Sequence, residues 1–117
     1  MQSKAVLRMA RVSPQKARLI ADLIRGKRAS EAQEMLRFTR KKSAGLFLKL
    51  VESAVANAEY KAEKDDEDID IDDLYIKTVF VDQGPTMRRF RPRARGMANR
   101  IHKKTSHLTV VLELENE

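Results

Sequence analysis

Cysteine is absent from the 117 residues, which excludes disulfides and thiolate metal sites and fits a reducing cytosol. Tryptophan is absent too, and aromatic residues make up only 5% of the chain, so aliphatic side chains must fill any core. No apolar run approaches the ~18 residues of a membrane span, and the first residues lack a signal-peptide pattern. The expectation is therefore a soluble, unprocessed chain with no membrane partner. The most telling absence is of negative charge: no Asp or Glu occurs from residue 83 to residue 112.

What fills that stretch is arginine. Arg88, Arg89, Arg91, Arg93, Arg95, Arg100, Lys103 and Lys104 place eight cations in seventeen positions. A planar guanidinium can hold phosphate oxygens in two parallel hydrogen bonds and can stack on an exposed base, which an ammonium does less well. A solvated charged face is the alternative, but such faces interleave both signs, whereas a single-sign block marks an interaction segment. The expected partner is nucleic acid.

The length of 117 residues (13.4 kDa) allows one domain, 1–117, burying roughly two thirds of its unfolded surface. The net charge of +7 conceals an asymmetry, because residues 61 to 73 hold eight carboxylates against two lysines. Outside that window 22 basic residues face 9 acidic ones, a balance of +13. Charge of that size speeds encounter with an anionic polymer and makes binding salt dependent.

Residues 4 to 11 alternate with the period of a half-buried strand, Ala5, Leu7 and Met9 on one side and Lys4 and Arg8 on the other. Ser13-Pro14 predicts a helix start and Gly26 its stop, with Ala17, Ile20, Leu23 and Ile24 facing inward. A second, short helix is expected from Ser30, whose spacing to Gln33 matches a reciprocal cap, with Ala32, Met35 and Leu36 inward. A third, central helix is expected over 42–61 on the stripe Phe47, Val51, Ala54, Val55 and Ala58. An acidic loop, about 62–73, follows. The runs 74–81 and 107–114, the latter with Leu108, Val110, Leu112 and Leu114 inward, predict two antiparallel strands.

Between those strands lie some 25 residues, too polar for a core and too long for an ordinary loop. They predict a protruding two-stranded arm, about 82–102, reaching roughly 30 Å from the sheet at the rise of a strand. An isolated hairpin with mutual arginine repulsion is marginal in water, so the arm is expected to become ordered against its target. Gly84-Pro85 and Gly96 offer bends or close approach to RNA, Pro92 stiffens the limb, and Phe90 offers either a base-stacking ring or cross-strand packing.

Six motifs in order carry a resemblance. Ser13-Pro14-Gln15-Lys16-Ala17-Arg18 with Asp22 to Lys27, Glu52 to Ala58, Val81-Asp82-Gln83-Gly84-Pro85, Pro92 to Gly96 and Lys104 to Val111 resemble the bacterial large-subunit ribosomal protein twenty-two family. The resemblance implies an α+β fold of three helices packed on a three-stranded antiparallel sheet with a long protruding β-hairpin. It implies no catalytic activity, no cofactor and no metal, and a monomer within the cytoplasmic ribosome. The implied partners are large-subunit ribosomal RNA, large-subunit protein four near the constriction of the peptide exit tunnel, and the nascent peptide passing the hairpin. Support of early assembly is a further family trait. By position, Met87, Arg88, Arg89, Phe90 and Arg91 correspond to the hairpin tip at the constriction. Arg91, Arg93 and Arg95 match the basic returning limb, and Arg100, Lys103 and Lys104 the part rejoining the body. The resemblance also inclines Lys16, Arg18, Arg25 and Lys27 toward RNA contact over simple solvation.

The acidic run departs from the usual family pattern, and its density predicts a loop facing solvent or a basic protein neighbour. Two rival classes fit less well. A calcium loop begun at Asp66 or Asp68 would place Ile71 or Asp73 where glycine is needed. A helix-turn-helix DNA reader would have to read bases with a second helix carrying two glutamates and one arginine from Glu31 to Phe38. His102 and His107 lack a cysteine partner, and Ser106 beside His107 is no triad.

Overall fold

The computed structural model describes residues 1–92 and 98–114, the side chains of 87–92 and 98–103 excepted. Its elements run β1 (Gln2–Ala10), α1 (Pro14–Ile24), α2 (Ala29–Phe38), α3 (Lys42–Lys64), a short 3-10 turn (Ile71–Asp73), β2 (Leu74–Gln83), β3 (Met87–Pro92), β4 (Ala98–Lys103) and β5 (Ser106–Leu114). Strands β1, β5 and β2 form an antiparallel sheet in that order, with the last strand at the centre, and β3 and β4 form a separate two-stranded ladder. The helices pack on one sheet face, α3 across β1 and β5, α1 on β2, and α2 against α3. This is the expected α+β architecture.

Local chemistry sets the helix ends. The Ser13 hydroxyl accepts from the Lys16 amide at 3.4 Å, Pro14 occupies the first helical position, and Gly26 turns the chain at φ +79°. That left-handed value suits glycine because it lacks a Cβ. The Gly26 amide donates to the Ile76 carbonyl and the Ile76 amide to the Lys27 carbonyl, clipping the end of α1 to β2. The core joins Ala17, Ile20 and Ile24 of α1 and Phe47, Val51, Ala54 and Ala58 of α3 to Ile76 and Val79 of β2 and to Leu108, Val110 and Leu112 of β5, all buried. Aliphatic filling follows from the scarcity of aromatics, with Phe47 the one aromatic among the fully buried side chains of the described residues.

Several expectations are corrected. In β1 the alternation ends at Leu7: the pairing with β5 shifts between Leu7 and Ala10, Met9 adopts φ +55°, and its side chain is exposed while Ala10 is buried. In α1 the inward residue is Ala21, and Leu23 is exposed. The cap at Ser30 does not form, because α2 starts at Ala29 with Arg28 as its N-cap and no side-chain hydrogen bond there. The isolated bridge of Arg28 to Tyr75 holds the chain at that point. The central helix runs to Lys64, three residues beyond its expected end, so it takes in the start of the acidic window.

Both edges of the sheet are closed by helix side chains. On β1, the Asn57 amide donates to the Lys4 carbonyl at 2.9 Å and the Lys61 ammonium to the Gln2 carbonyl at 2.7 Å, while the buried Ser3 hydroxyl returns a bond to the Ala54 carbonyl. On β2, the Arg18 and Arg25 guanidiniums donate to the Val81 and Val79 carbonyls at 3.1 and 2.8 Å. The accepting carbonyls lie two residues apart on each strand, as they must when alternate groups point off an edge. Bare edges would template pairing with another chain; these are occupied.

Candidate nucleic-acid interface

The ladder β3–β4 leaves the sheet at a knuckle formed by 84–86 and 104–105. There the Gly84 amide donates to the Thr105 carbonyl at 2.9 Å, and the Thr105 hydroxyl, on a side chain almost wholly buried, donates to the Pro85 carbonyl at 2.6 Å. Next in sequence, the buried Ser106 hydroxyl donates to the Val12 carbonyl at 2.7 Å, tying the root to the entrance of α1. A Cβ on Gly84 would stand 2.5 Å from the Thr105 hydroxyl oxygen and 3.3 Å from its backbone carbonyl carbon. Glycine is thus needed here for close approach of the chain to itself, where the sequence offered a bend or close approach to RNA. Gly84→Ala should break the Thr105–Pro85 bond and cost about 1–3 kcal/mol as overpacking. Denaturant unfolding checks it, and a midpoint equal to the parent's would contradict this account of the root.

Beyond the knuckle the ladder register is Met87↔Lys103, Arg88↔His102, Arg89↔Ile101, Phe90↔Arg100, Arg91↔Asn99 and Pro92↔Ala98. Among the described pairs no arginine or lysine stands directly opposite another. Cross-strand neighbours of like charge are destabilising, so this register lets cations crowd the arm with less mutual repulsion. The residues assigned to the tip, Met87 to Arg91, form the outgoing strand; Arg100 and Lys103 lie on the returning one, and Lys104 is exposed at the knuckle. Arg93, Arg95 and Gly96 lie outside the described residues. The extents of the molecule, 66 × 27 × 17 Å, suit a small body with a projection.

The body cations divide. Lys16 is exposed on the first turn of α1. Arg18 and Arg25 each commit a guanidinium nitrogen to a β2 carbonyl, and Arg25 also pairs with Asp22. Lys27 stands 4.0 Å from Glu31, and the Arg28 guanidinium donates to the Asp72 carbonyl. Several cations around the α1–α2 turn therefore already serve the protein's own fold, which leaves a helix-turn-helix reading poorly equipped. Sequence reasoning missed this carbonyl-holding role, and missed Asn57 and Lys61 at the opposite edge. Their four-residue spacing on α3 was visible, and so was a first strand, but not that the two meet.

The acidic window is exposed apart from Ala62, Ile69 and Asp73. Among the described residues no three His, Cys, Asp or Glu side chains gather as metal ligands would. His107 is engaged locally, its Nδ1 accepting from the Met9 amide at 3.0 Å. On β5, the Glu113 carboxyl is held below its ordinary value near 4.5 by hydrogen bonds from Lys77 and from the Tyr75 hydroxyl. These groups lie on the sheet, away from the arm.

Comparison with known proteins bears on the whole chain. The profile of the family described as ribosomal protein L22p/L17e matches residues 5–113. A protein of Bdellovibrio bacteriovorus named large ribosomal subunit protein uL22 is 58% identical over 113 residues, covering 97% of this chain and 98% of that relative. The match takes in both edge-closing helices, the knuckle and the arm, so the chain belongs to the ribosomal protein L22p/L17e family, a family of structural proteins of the large ribosomal subunit in the cytoplasm and not of enzymes.

Proposed function

We propose that this chain binds large-subunit ribosomal RNA, supports assembly of the subunit, and lines the nascent-peptide exit tunnel with its basic hairpin. The observation that carries the reading is the arm: an acid-free ladder whose register separates its cations, set on a body by a buried, hydrogen-bonded root. Arginines along such an arm neutralise phosphates converging from different RNA helices, where water alone would leave the backbones repelling one another. Arg88, Arg89, Arg91, Arg93, Arg95, Arg100, Lys103 and Lys104 supply that charge. Lys16, Lys27 and the remaining N–H groups of Arg18 and Arg25 extend it over the body.

In this reading large-subunit protein four is the neighbour across the tunnel constriction, and the nascent peptide passes along the hairpin. The acidic window, repelled by RNA, faces solvent or a basic protein. Sedimentation tests the reading: the chain should travel with large subunits and stay bound through a moderate salt wash. Release by that wash, or preference for duplex DNA over structured ribosomal RNA at physiological salt, would overturn it.

A further inference from the structure

Away from the arm, a cleft of about 590 Å³ opens between the first turns of α1 and α3. Its walls include Arg11, Ser13 and Lys16 from the entrance of α1 and Lys41, Lys42 and Ser43 from that of α3, and its lining contains no carboxylate. Neither helix has an acidic residue in its first turn. At α3 the N-cap is Lys41, which makes no side-chain cap, and Lys42 follows it. Cations at the positive end of a helix are unfavourable, and the first amides of a helix have no partner within it. An uncapped 23-residue helix led by two lysines is poorly arranged for stability alone, but well arranged for an anion.

A second observation is independent of the helix ends. Ser43 is 3% exposed, yet among the described residues its hydroxyl forms no hydrogen bond. Every deeply buried side-chain nitrogen or oxygen among those residues has a partner, so the Ser43 oxygen is the part of that side chain left open, and the space it borders is the cleft. That hydroxyl is thus a donor set in the cleft wall with no acceptor among the described residues.

We propose that this cleft seats a backbone phosphate of the RNA. The Lys42 and Ser43 amides and the Ser43 hydroxyl donate to its oxygens, and Lys41, Lys42, Lys16 and Arg11 neutralise it. The proposal rests on the RNA-binding reading above and adds a seat on the body distinct from the arm. Val12, in the cleft wall, accepts from Ser106 at the arm root, so the seat and the arm are tied to the same strand end. A phosphate held there would fix how the body lies on RNA while the arm reaches onward. Phosphate contacts of this kind set register and orientation without reading sequence.

The test uses the full chain and large-subunit ribosomal RNA. Lys41→Ala/Lys42→Ala should lower the slope of log affinity against log salt by about 1, with melting no lower than the parent's. Ser43→Ala should weaken binding several-fold without changing that slope. In a parallel NMR titration of the free protein with inorganic phosphate, the Lys42 and Ser43 amides should shift saturably. If the lysine variant keeps the parent's slope while a variant lacking the arm arginines loses slope, the cleft is not a phosphate seat although RNA binding stands. If neither variant loses slope, the RNA-binding reading fails and takes the cleft with it. Amide shifts that stay linear in phosphate also count against the seat.

Discussion

Replacing Arg88, Arg89, Arg91 and Arg93 together by alanine should flatten the salt dependence of RNA binding while leaving the melting of the free protein nearly unchanged. If six to eight phosphates are neutralised by the arm, counterion release gives the parent a slope of log affinity against log salt of roughly −4 to −7, and losing four such contacts should reduce it by about 3. Stability should hardly respond, because the ladder β3–β4 is separate from the sheet that carries the core. Equal slopes for variant and parent, measured over the same salt range, would remove the arm from the mechanism.

Phe47→Ala should give the reverse pattern. Phe47 is fully buried on α3, the helix that spans β1 and β5 and also supports α2. Truncating a buried phenylalanine costs about 3–5 kcal/mol, against a total stability of about 5–15 kcal/mol for a domain. The melting temperature should fall on the order of 10–20 °C, whereas the salt slope of RNA binding, measured where the variant is still folded, should match the parent's. A slope that fell along with stability would mean that the arm and body do not act separately. Calorimetry and filter binding on the two variants therefore test the division of labour from both sides.

How much of this was legible from sequence depends on how local each cause is. Ser13, Pro14 and Gly26 act within one helical turn, and α1 begins and ends where they predict. The stripe on α3 and the alternation Leu108, Val110, Leu112 on β5 were readable because their partners lie on one side only. Leu23 misled by its size: the buried positions 17, 20, 21 and 24 keep helical phase, and small Ala21 holds the place against the sheet. Met9 and Ser30 misled because a distant strand decided the outcome, β5 through its shifted pairing and Tyr75 through its bridge to Arg28.

The candidate site divides in the same way. Cation density in the arm is a property of sequence, and it pointed to nucleic acid without coordinates. That Arg18 and Arg25 hold edge carbonyls, that Gly84 makes room for Thr105, and that Ser13 and Ser43 border one cleft are facts of chain crossing, between residues 21 to 63 positions apart. No local pattern encodes them. Roles at such crossings emerge only when two distant segments are placed side by side.

The central claim is that the arm becomes fixed by holding ribosomal RNA together, with the body as its mount. Electron cryo-microscopy of large subunits carrying this chain tests that claim most directly. The account predicts continuous density for β3 and β4, with the arm arginines against phosphates of more than one RNA helix. An arm standing in bulk solvent, or folded back on its own body in a fully assembled particle, would contradict it.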